Sequence, residues 1–314
     1  MQAAVVKDFN KGYDVRDVDV PADLGLKDVL VKIAAAGYCH TDLQVMQGVY
    51  ESAGAKPGLV GSHEPAGKVV KAVSDAGKFG IHVGDRVGSI NTYGFCSDCN
   101  ACRNEGQQLC ENLVGMLGLT INGGFSQYMK ADARVVSKIP DSIPFDKAAL
   151  LFCAGATVYG AILASGAKAR EWLAIVGIGG LGHLGVQYAK ARSSKSFSPR
   201  STTNPGVDRV VINAEARELV KFSQQFLRTG GTLVDFGLPS NTTLEVDPFA
   251  LSFKEQTVRG RLICTLEQWQ DMIKLHANNG CKTHIERTYG VEQINDMYDY
   301  YQRKDLRARL CMVL

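Results

Sequence analysis

The stretch FCSDCNACRNEGQQLC sets Cys96, Cys99, Cys102 and Cys110 in a C-x₂-C-x₂-C-x₇-C run. Thiolates this close together can close a tetrahedral S₄ shell around one Zn²⁺. The segment holds little apolar material of its own, so a metal would supply the cross-link that a core cannot. A disulfide pair or an iron–sulfur cluster would use the same residue type. Nine cysteines are an odd number for a disulfide scaffold in a chain of 314 residues, and a reducing compartment fits them better. The run predicts a closed structural zinc.

Length suggests two domains. With 45% hydrophobic and 21% charged residues, the chain has enough apolar material for more than one core. A net charge of +3 is too small to imply a nucleic-acid partner or an anionic membrane. The N-terminus MQAAVVKDFNKGYDV lacks the basic flank and apolar centre of a signal peptide, and no apolar run approaches the roughly 20 residues that span a bilayer. The expectation is a cytoplasmic protein.

Residues 1 to about 150 read as short β segments broken by glycine: AAVV, DVLVKIAAAG, AGKVVKAV, GDRVGSI, FSQYMKA and ARVVSKIP. Such segments suggest a small barrel or sandwich. Pro140 and Pro144 frame a turn before a helical stretch, DKAALLFCAGATVYGAILASGAK. An apolar strand, EWLAIVG, then runs into a glycine-rich turn and the helix LGHLGVQYAKAR. DRVVIN, GTLVDFG and TVRGRLIC read as further buried strands between helical stretches, the alternation of a parallel α/β sheet. The tail closes with another strand, ARLCMVL, and residues 193–206 form a Ser/Thr/Pro-rich segment with no apolar period.

Gly177, Gly179 and Gly182 stand in G-x-G-x-x-G spacing between that strand and that helix, the context a dinucleotide fingerprint requires. Gly177 permits the tight turn, Gly179 the approach of a pyrophosphate, and Gly182 close packing of helix on strand. The whole turn, with Gly180 and Leu181, would set the anion on the positive end of the helix.

AGYCHTDL contains Cys39, His40, Thr41 and Asp42; GSHEPAGKV contains His63 and Glu64; LFCAGATVYG contains Cys153. With the cysteine run, G-D-R-V, G-x-G-G-L-G-H and the tail's R-x-R-L, these segments resemble the zinc-dependent medium-chain alcohol dehydrogenases, particularly the yeast-like branch. The motifs follow family order over almost the whole chain.

The resemblance implies a GroES-like β-barrel catalytic domain, residues 1–153 and 285–314. It also implies a Rossmann-type doubly wound parallel sheet, residues 154–284, with the active site in the cleft between them. It implies two Zn²⁺ per chain, the catalytic one on Cys39, His63 and Cys153 with its fourth position open. Such a metal stabilises the alcohol's deprotonated form near neutral pH and polarises a carbonyl in the reverse direction, while NAD carries the hydride. By resemblance, Thr41 takes the alcohol proton, Asp42 orients His63, and Glu64 lies beside the zinc. His40 and Arg309 match cofactor-phosphate contacts, and Thr157 matches a residue near the nicotinamide amide. A homotetramer is implied as well.

Three departures from the family pattern matter. Where relatives carry a proton-relaying histidine after C-H-T-D-L, this chain has Gln44, which cannot titrate. Tryptophans that narrow the pocket in relatives are replaced in GVYESAG and GSINTYG by Val49, Tyr50 and Asn91, which predicts substrates larger than ethanol. Thirdly, between Arg192 and Val207 there is too little chain for a further βαβ unit of about 30 residues.

The second and third strands of a dinucleotide fold are therefore missing, along with the ribose-binding acid expected about 20 positions after the glycines. No Asp or Glu occurs between Gly182 and Asp208, which belongs to a later strand. Either the protein lacks half of its cofactor sheet, or a stretch of the active enzyme is missing from this sequence. Under the first reading, strand one becomes an edge or pairs only with VDRVVIN. Lys190, Arg192, Lys195 and Arg200 could meet the extra phosphate of NADP, although NAD is the expectation. The competing functions are a zinc-containing reductase of alkenal double bonds and a catalytically impaired, zinc-stabilised scaffold.

Overall fold

The computed structural model describes residues 1–192, 206–214, 216, 218–237, 243–303 and 306–314. Lys195 and Arg200 lie outside the described residues, as does almost all of the Ser/Thr/Pro-rich segment. The chain divides into two compact units, Met1–Cys153 with Lys282–Leu314, and Ala154–Cys281.

The first unit is organised on the eleven-residue strand Asp28–Tyr38, whose sequence DVLVKIAAAGY is apolar at nearly every position and buried at nearly every position. One edge pairs antiparallel with Pro65–Ala72. The other edge is shared. Tyr128–Asp132 pairs with Asp28–Lys32, and the returning tail strand Arg309–Val313 pairs with Ala35–Tyr38. Arg86–Ser89 and Val136–Lys138 extend the sheet beyond Pro65–Ala72, and Ile285–Tyr289 runs parallel to the tail strand. Val29, Val31, Ile33, Tyr38, Phe125 and Met312 are among the side chains buried in its core. Each such side chain removed from water contributes roughly 1.5–3 kcal/mol.

The second unit holds a four-stranded parallel sheet in the order Leu173–Val176, Val207–Ile212, Leu227–Asp235, Thr257–Gly260. Strand one thus lies directly beside VDRVVI, and among the described residues it has no other strand partner. Leu173, Ala174, Ile175 and Val176 are each only half-buried, although their sequence is that of a core strand. At the opposite edge, Thr257–Gly260 is largely exposed, whereas the sequence reading expects TVRGRLIC to be buried. Apolar composition reports that a segment prefers cover; it does not report which strands end up outermost. The central strands carry the core, with Val210, Val211, Leu233 and Val234 fully buried.

The helical stretch after Pro144 is not continuous. Phe145–Ala149 is α-helical, Leu150–Phe152 tightens to a 3₁₀ turn, and a new helix begins at Ala154. Cys153 therefore sits in the break. Among the described residues no single helix is long and apolar enough to cross a membrane.

Candidate metal centres

Four thiols converge in the cysteine lobe. Their sulfurs all lie within 4.8 Å of one another, with Cys96 Sγ at 3.6 Å from Cys110 Sγ and 4.0 Å from Cys102 Sγ. A tetrahedron with metal–sulfur bonds of about 2.3 Å has edges of about 3.8 Å. All four are free thiols rather than disulfides. Backbone amides point at them: Asp98 and Cys99 N–H donate to Cys96 Sγ, and Cys102 and Glu111 N–H donate to Cys99 Sγ. The Asp98 and Cys99 amides pull the Cys96 thiol down to about 6. Burial and the neighbouring thiols push Cys102 up to about 12. Cysteine ligates a metal as the thiolate, so zinc binding at this lobe would release protons.

The second centre lies where three segments of the first unit meet. Cys39 is the N-cap of the helix His40–Met46, and Asp42 explains why the helix begins there. Its carboxylate accepts the Cys39 N–H at 2.8 Å, the backbone half of a capping box, and fixes the thiol's direction. The same carboxylate accepts the Ser62 N–H at 3.1 Å and lies 3.4 Å from His63 Nδ1. One buried acid thereby positions two candidate ligands. Ser62 takes a left-handed backbone (φ 68°), and its hydroxyl donates to Gly37 O and accepts the Glu64 N–H. This turn aims His63 and Glu64 inward.

Ligand atoms of Cys39, His63, Glu64 and Cys153 all lie within 4.8 Å of one another, and the two sulfurs are 4.0 Å apart. His63 and Glu64 are buried, and both His63 Nδ1 and Glu64 Oε2 are buried without a hydrogen-bond partner. Two soft sulfurs, an imidazole and a carboxylate converging in a buried site are a donor set that fits Zn²⁺.

The charges are tightly coupled. The hydrogen bond from Cys153 lowers the Cys39 thiol well below its ordinary value against the opposing effect of burial, aided by Arg309 and His63. The same bond, together with burial, raises Cys153. Burial disfavours a charged His63, but Asp42 and Cys39 outweigh it and raise the imidazole well above its usual range. Burial lifts Glu64 to about 7 even though Arg309 draws it down. Arg309 Nη2 donates to Glu64 Oε1, and both side chains are buried. A Cβ at Gly37 would overlap the Glu64 carboxylate, so the glycine makes room for this ion pair.

The remaining residues read from the sequence fall as follows. Thr41 Oγ1 is 4.0 Å from Cys39 Sγ. His40 is half-buried, its ring 6.5 Å from that of Tyr301. Gln44 is buried and its Oε1 accepts the Tyr50 hydroxyl at 2.9 Å. Val49 is exposed, and Tyr50 and Asn91 are half-buried. Thr157, half-buried, is in the first turn of Ala154–Ala164.

The glycine-rich turn belongs to the second unit. Gly177 has φ +95°, and Asn213 Nδ2 donates to its carbonyl at 3.3 Å. A Cβ at Gly182 would overlap the Gly177 carbonyl, whereas at Gly179 it would meet nothing within 4 Å. Gly180 and Leu181 complete the turn before the helix Gly182–Arg192, and the Gly185 N–H bonds to Leu181 O. Open space at Gly179 with tight packing at its neighbours is the form of a backbone cradle. Asp208 cannot stand in for the missing ribose-binding acid: it is buried, accepting the Trp172 N–H at 2.7 Å and Arg228 Nε at 2.6 Å. Lys190 and Arg192 are exposed, and Arg192 Nη1 reaches the Tyr159 hydroxyl at 3.3 Å.

Sequence reasoning missed Ser62, Gly37 and Tyr301. A serine beside H-E and a glycine two residues before Cys39 are weak signals. The Tyr301 ring lies 4.8 Å from Tyr38, and its phenol feels the charges of Cys39 and Arg309, yet nothing in the tail's sequence marks it.

A largely antiparallel unit with two thiol-rich centres and a second unit built on a parallel sheet with a glycine-rich turn are the two parts of the GroES-like plus Rossmann-type fold of oxidoreductases. Residues 25–141 match the alcohol dehydrogenase GroES-like domain family. The chain is 33% identical to an alcohol dehydrogenase of Geobacillus stearothermophilus over 341 aligned positions, covering 99% of both chains. It is 30% identical to the NADP-dependent alcohol dehydrogenase C of Mycobacterium bovis, covering 91% of each. The crystal structure of the alcohol dehydrogenase from Aeropyrum pernix superposes with a TM-score of 0.86 at 25% identity over the full length of both. The chain belongs to the zinc-dependent medium-chain alcohol dehydrogenase family.

Proposed function

We propose that this enzyme transfers hydride between NAD(H) and a primary or secondary alcohol, or the matching aldehyde or ketone. In this reading Cys39, His63 and Cys153 hold a catalytic zinc, and Cys96, Cys99, Cys102 and Cys110 hold a closed structural one. The observation that carries it is the convergence of Cys39, His63, Glu64 and Cys153 in a buried site whose geometry Asp42 organises. Zinc bound there would supply Lewis acidity to the substrate oxygen, and the nicotinamide would accept or return the hydride.

The chain's own residues have distinct tasks. Asp42 holds Cys39 and His63 in register. Thr41, adjacent to Cys39, is placed to take the substrate's hydroxyl proton. Glu64 lies within ligand distance, restrained by Arg309, and its carboxylate would modulate ligand exchange at a zinc held there. Gly177, Gly179, Gly180, Leu181 and Gly182 would cradle the cofactor pyrophosphate, His40 and Arg309 would contact its phosphates, and Thr157 would lie near the nicotinamide amide. Val49, Tyr50 and Asn91 leave a wider substrate slot than indoles would.

Metal analysis should find two zinc per chain, falling to one in both Cys153→Ala and Cys102→Ser. A single zinc in the parent would sink the two-metal assignment. Hexanol and benzyl alcohol should show higher kcat/KM than ethanol; equal values would remove the wider-slot reading. Turnover of an α,β-unsaturated aldehyde at its double bond, with none at the carbonyl, would instead indicate an alkenal reductase. The half-exposed strand Leu173–Val176 favours a second reading, a zinc-stabilised scaffold with an impaired cofactor unit. A cytoplasmic homotetramer completes the proposal, checked by fractionation and by light scattering.

A further inference from the structure

Arg134, immediately beyond the strand Tyr128–Asp132, belongs to neither candidate centre but reaches the edge of one. Its Nε bonds both Asp132 carboxylate oxygens at 3.0 and 3.1 Å, and its Nη2 bonds Oδ2 at 2.6 Å. The pair is shielded, with Arg134 13% and Asp132 3% exposed along their side chains. Forked contacts of this kind are stronger and more directional than single hydrogen bonds. The other arm points away from the sheet: Nη1 donates to Phe95 O at 2.9 Å and to Ser97 Oγ at 3.1 Å. The guanidinium also lies 3.9 Å over the Phe95 ring.

Those two acceptors flank Cys96. Ser97 holds a left-handed backbone (φ 65°), which a residue with a Cβ rarely adopts unless its surroundings impose it. The preceding residues are tied down as well. Gly94 N–H donates to Asp132 Oδ2 at 3.3 Å, and the Tyr93 hydroxyl bonds the Asp28 carboxylate at 3.0 and 2.9 Å. Residues 93, 94, 95 and 97 are all anchored to the sheet, directly or through Arg134, and Cys96 is carried between them. Cys96 is the exposed member of the four thiols, so it is the one that solvent, chelator or oxidant meets first.

We infer that Arg134 is a latch on the four-cysteine metal: by gripping Phe95 O and Ser97 Oγ from the Asp132 carboxylate, it holds Cys96 Sγ in the ligand set and governs how fast the metal leaves. Arg134 touches neither metal nor substrate, so it is a positioning residue. The inference rests on the reading of the lobe as a zinc site.

The test uses the zinc-loaded full-length protein and follows zinc transfer to 4-(2-pyridylazo)resorcinol. Cys102→Ser identifies which of the two kinetic phases belongs to the lobe. Arg134→Gln should speed that phase by about tenfold while leaving the other unchanged, the lower end of what the loss of a ligand's own hydrogen-bond partner costs, because Arg134 acts one bond further out. Arg134→Lys keeps the charge without the fork and should fall between, and Ser97→Ala should show a smaller acceleration. Thermal midpoints and the thiolate-to-cobalt absorption of Co²⁺-loaded samples should stay near the parent's, which separates a latch from a general loss of structure. If Arg134→Gln does not fold, Arg134→Lys and Ser97→Ala carry the comparison. A lobe phase with the parent's rate in the folded variants overturns the latch alone. Zinc content unaffected by Cys102→Ser overturns the lobe's metal assignment and the latch with it.

Discussion

In the first unit, the strand leading to Cys39 is buried almost end to end and has partners on both edges. In the second, the strand leading to Gly177 is half-exposed at all four positions and has one strand partner among the described residues. Both strands deliver a functional turn, but they hold it by different means. Cys39 is fixed by Asp42, which also bonds Ser62 and faces His63, and the Glu64–Arg309 pair seals the same space. Gly177 is fixed from one side, through Asn213 and the strand Val207–Ile212. The candidate metal ligands are held from several sides, whereas the glycine-rich turn rests on a single neighbouring strand. The first unit's ligand cluster is thus held within that unit and does not depend on how many strands the second unit's sheet contains.

The contrast can be broken most severely at the metal. Cys153→Ala removes one of the three proposed zinc donors, and kcat/KM should fall by at least about 10³-fold, since the lost electrostatic stabilisation would be several kcal/mol. Retained turnover would show that the first unit does not carry the chemistry.

An acid titration probes the second unit. His276 is buried, accepts or donates at the Tyr188 hydroxyl at 3.0 Å, and is lowered by burial from 6.5 to about 4. A depressed histidine is neutral in the folded state, so its stabilisation is present above pH 6.5 and is lost as pH falls towards 4. The loss amounts to at most about 3 kcal/mol. Denaturant midpoints followed by fluorescence of the buried Trp269 should drop over that window in the parent, and less in His276→Gln. Parallel curves for the two would contradict this.

Asp42→Asn should weaken zinc binding or turnover by about 10–100-fold with the fold intact, as measured by competition with a chelator. An effect confined to thermal stability would reduce Asp42 to a helix cap. The smallest change separates packing from binding within one turn. Gly179→Ala places its Cβ in open space, so stability should move by no more than about 0.5 kcal/mol. NADH affinity should nevertheless fall by about tenfold, or 1.4 kcal/mol, because the pyrophosphate approaches there. Unchanged affinity would mean that the turn is structural only.

Much of this was legible in the sequence, for reasons that differ between residues. The four cysteines lie within fifteen positions of one another, so short-range spacing is enough to suggest that they meet. Cys39, His63 and Cys153 are far apart in the chain and became legible only through family resemblance; the structure brings them together with Glu64. Arg134 was not legible, because its acceptors Phe95 and Ser97 are 39 and 37 residues away and arginine beside a strand carries no signal. The same holds for Tyr301, delivered by the tail. The break at Cys153 was hidden by an unbroken apolar run, and the exposure of TVRG by a composition that says nothing about strand order.

The proposed zinc ligands are all present while the sheet that carries the glycine-rich turn is short, and the pair is proposed still to make a working hydride-transfer enzyme. Titration of NADH into the zinc-replete protein, followed by quenching of intrinsic fluorescence, tests it most directly. NADH should bind saturably, and Gly179→Ala should weaken that binding. No saturable binding, with two zinc present per chain, would contradict it and leave a zinc-stabilised scaffold.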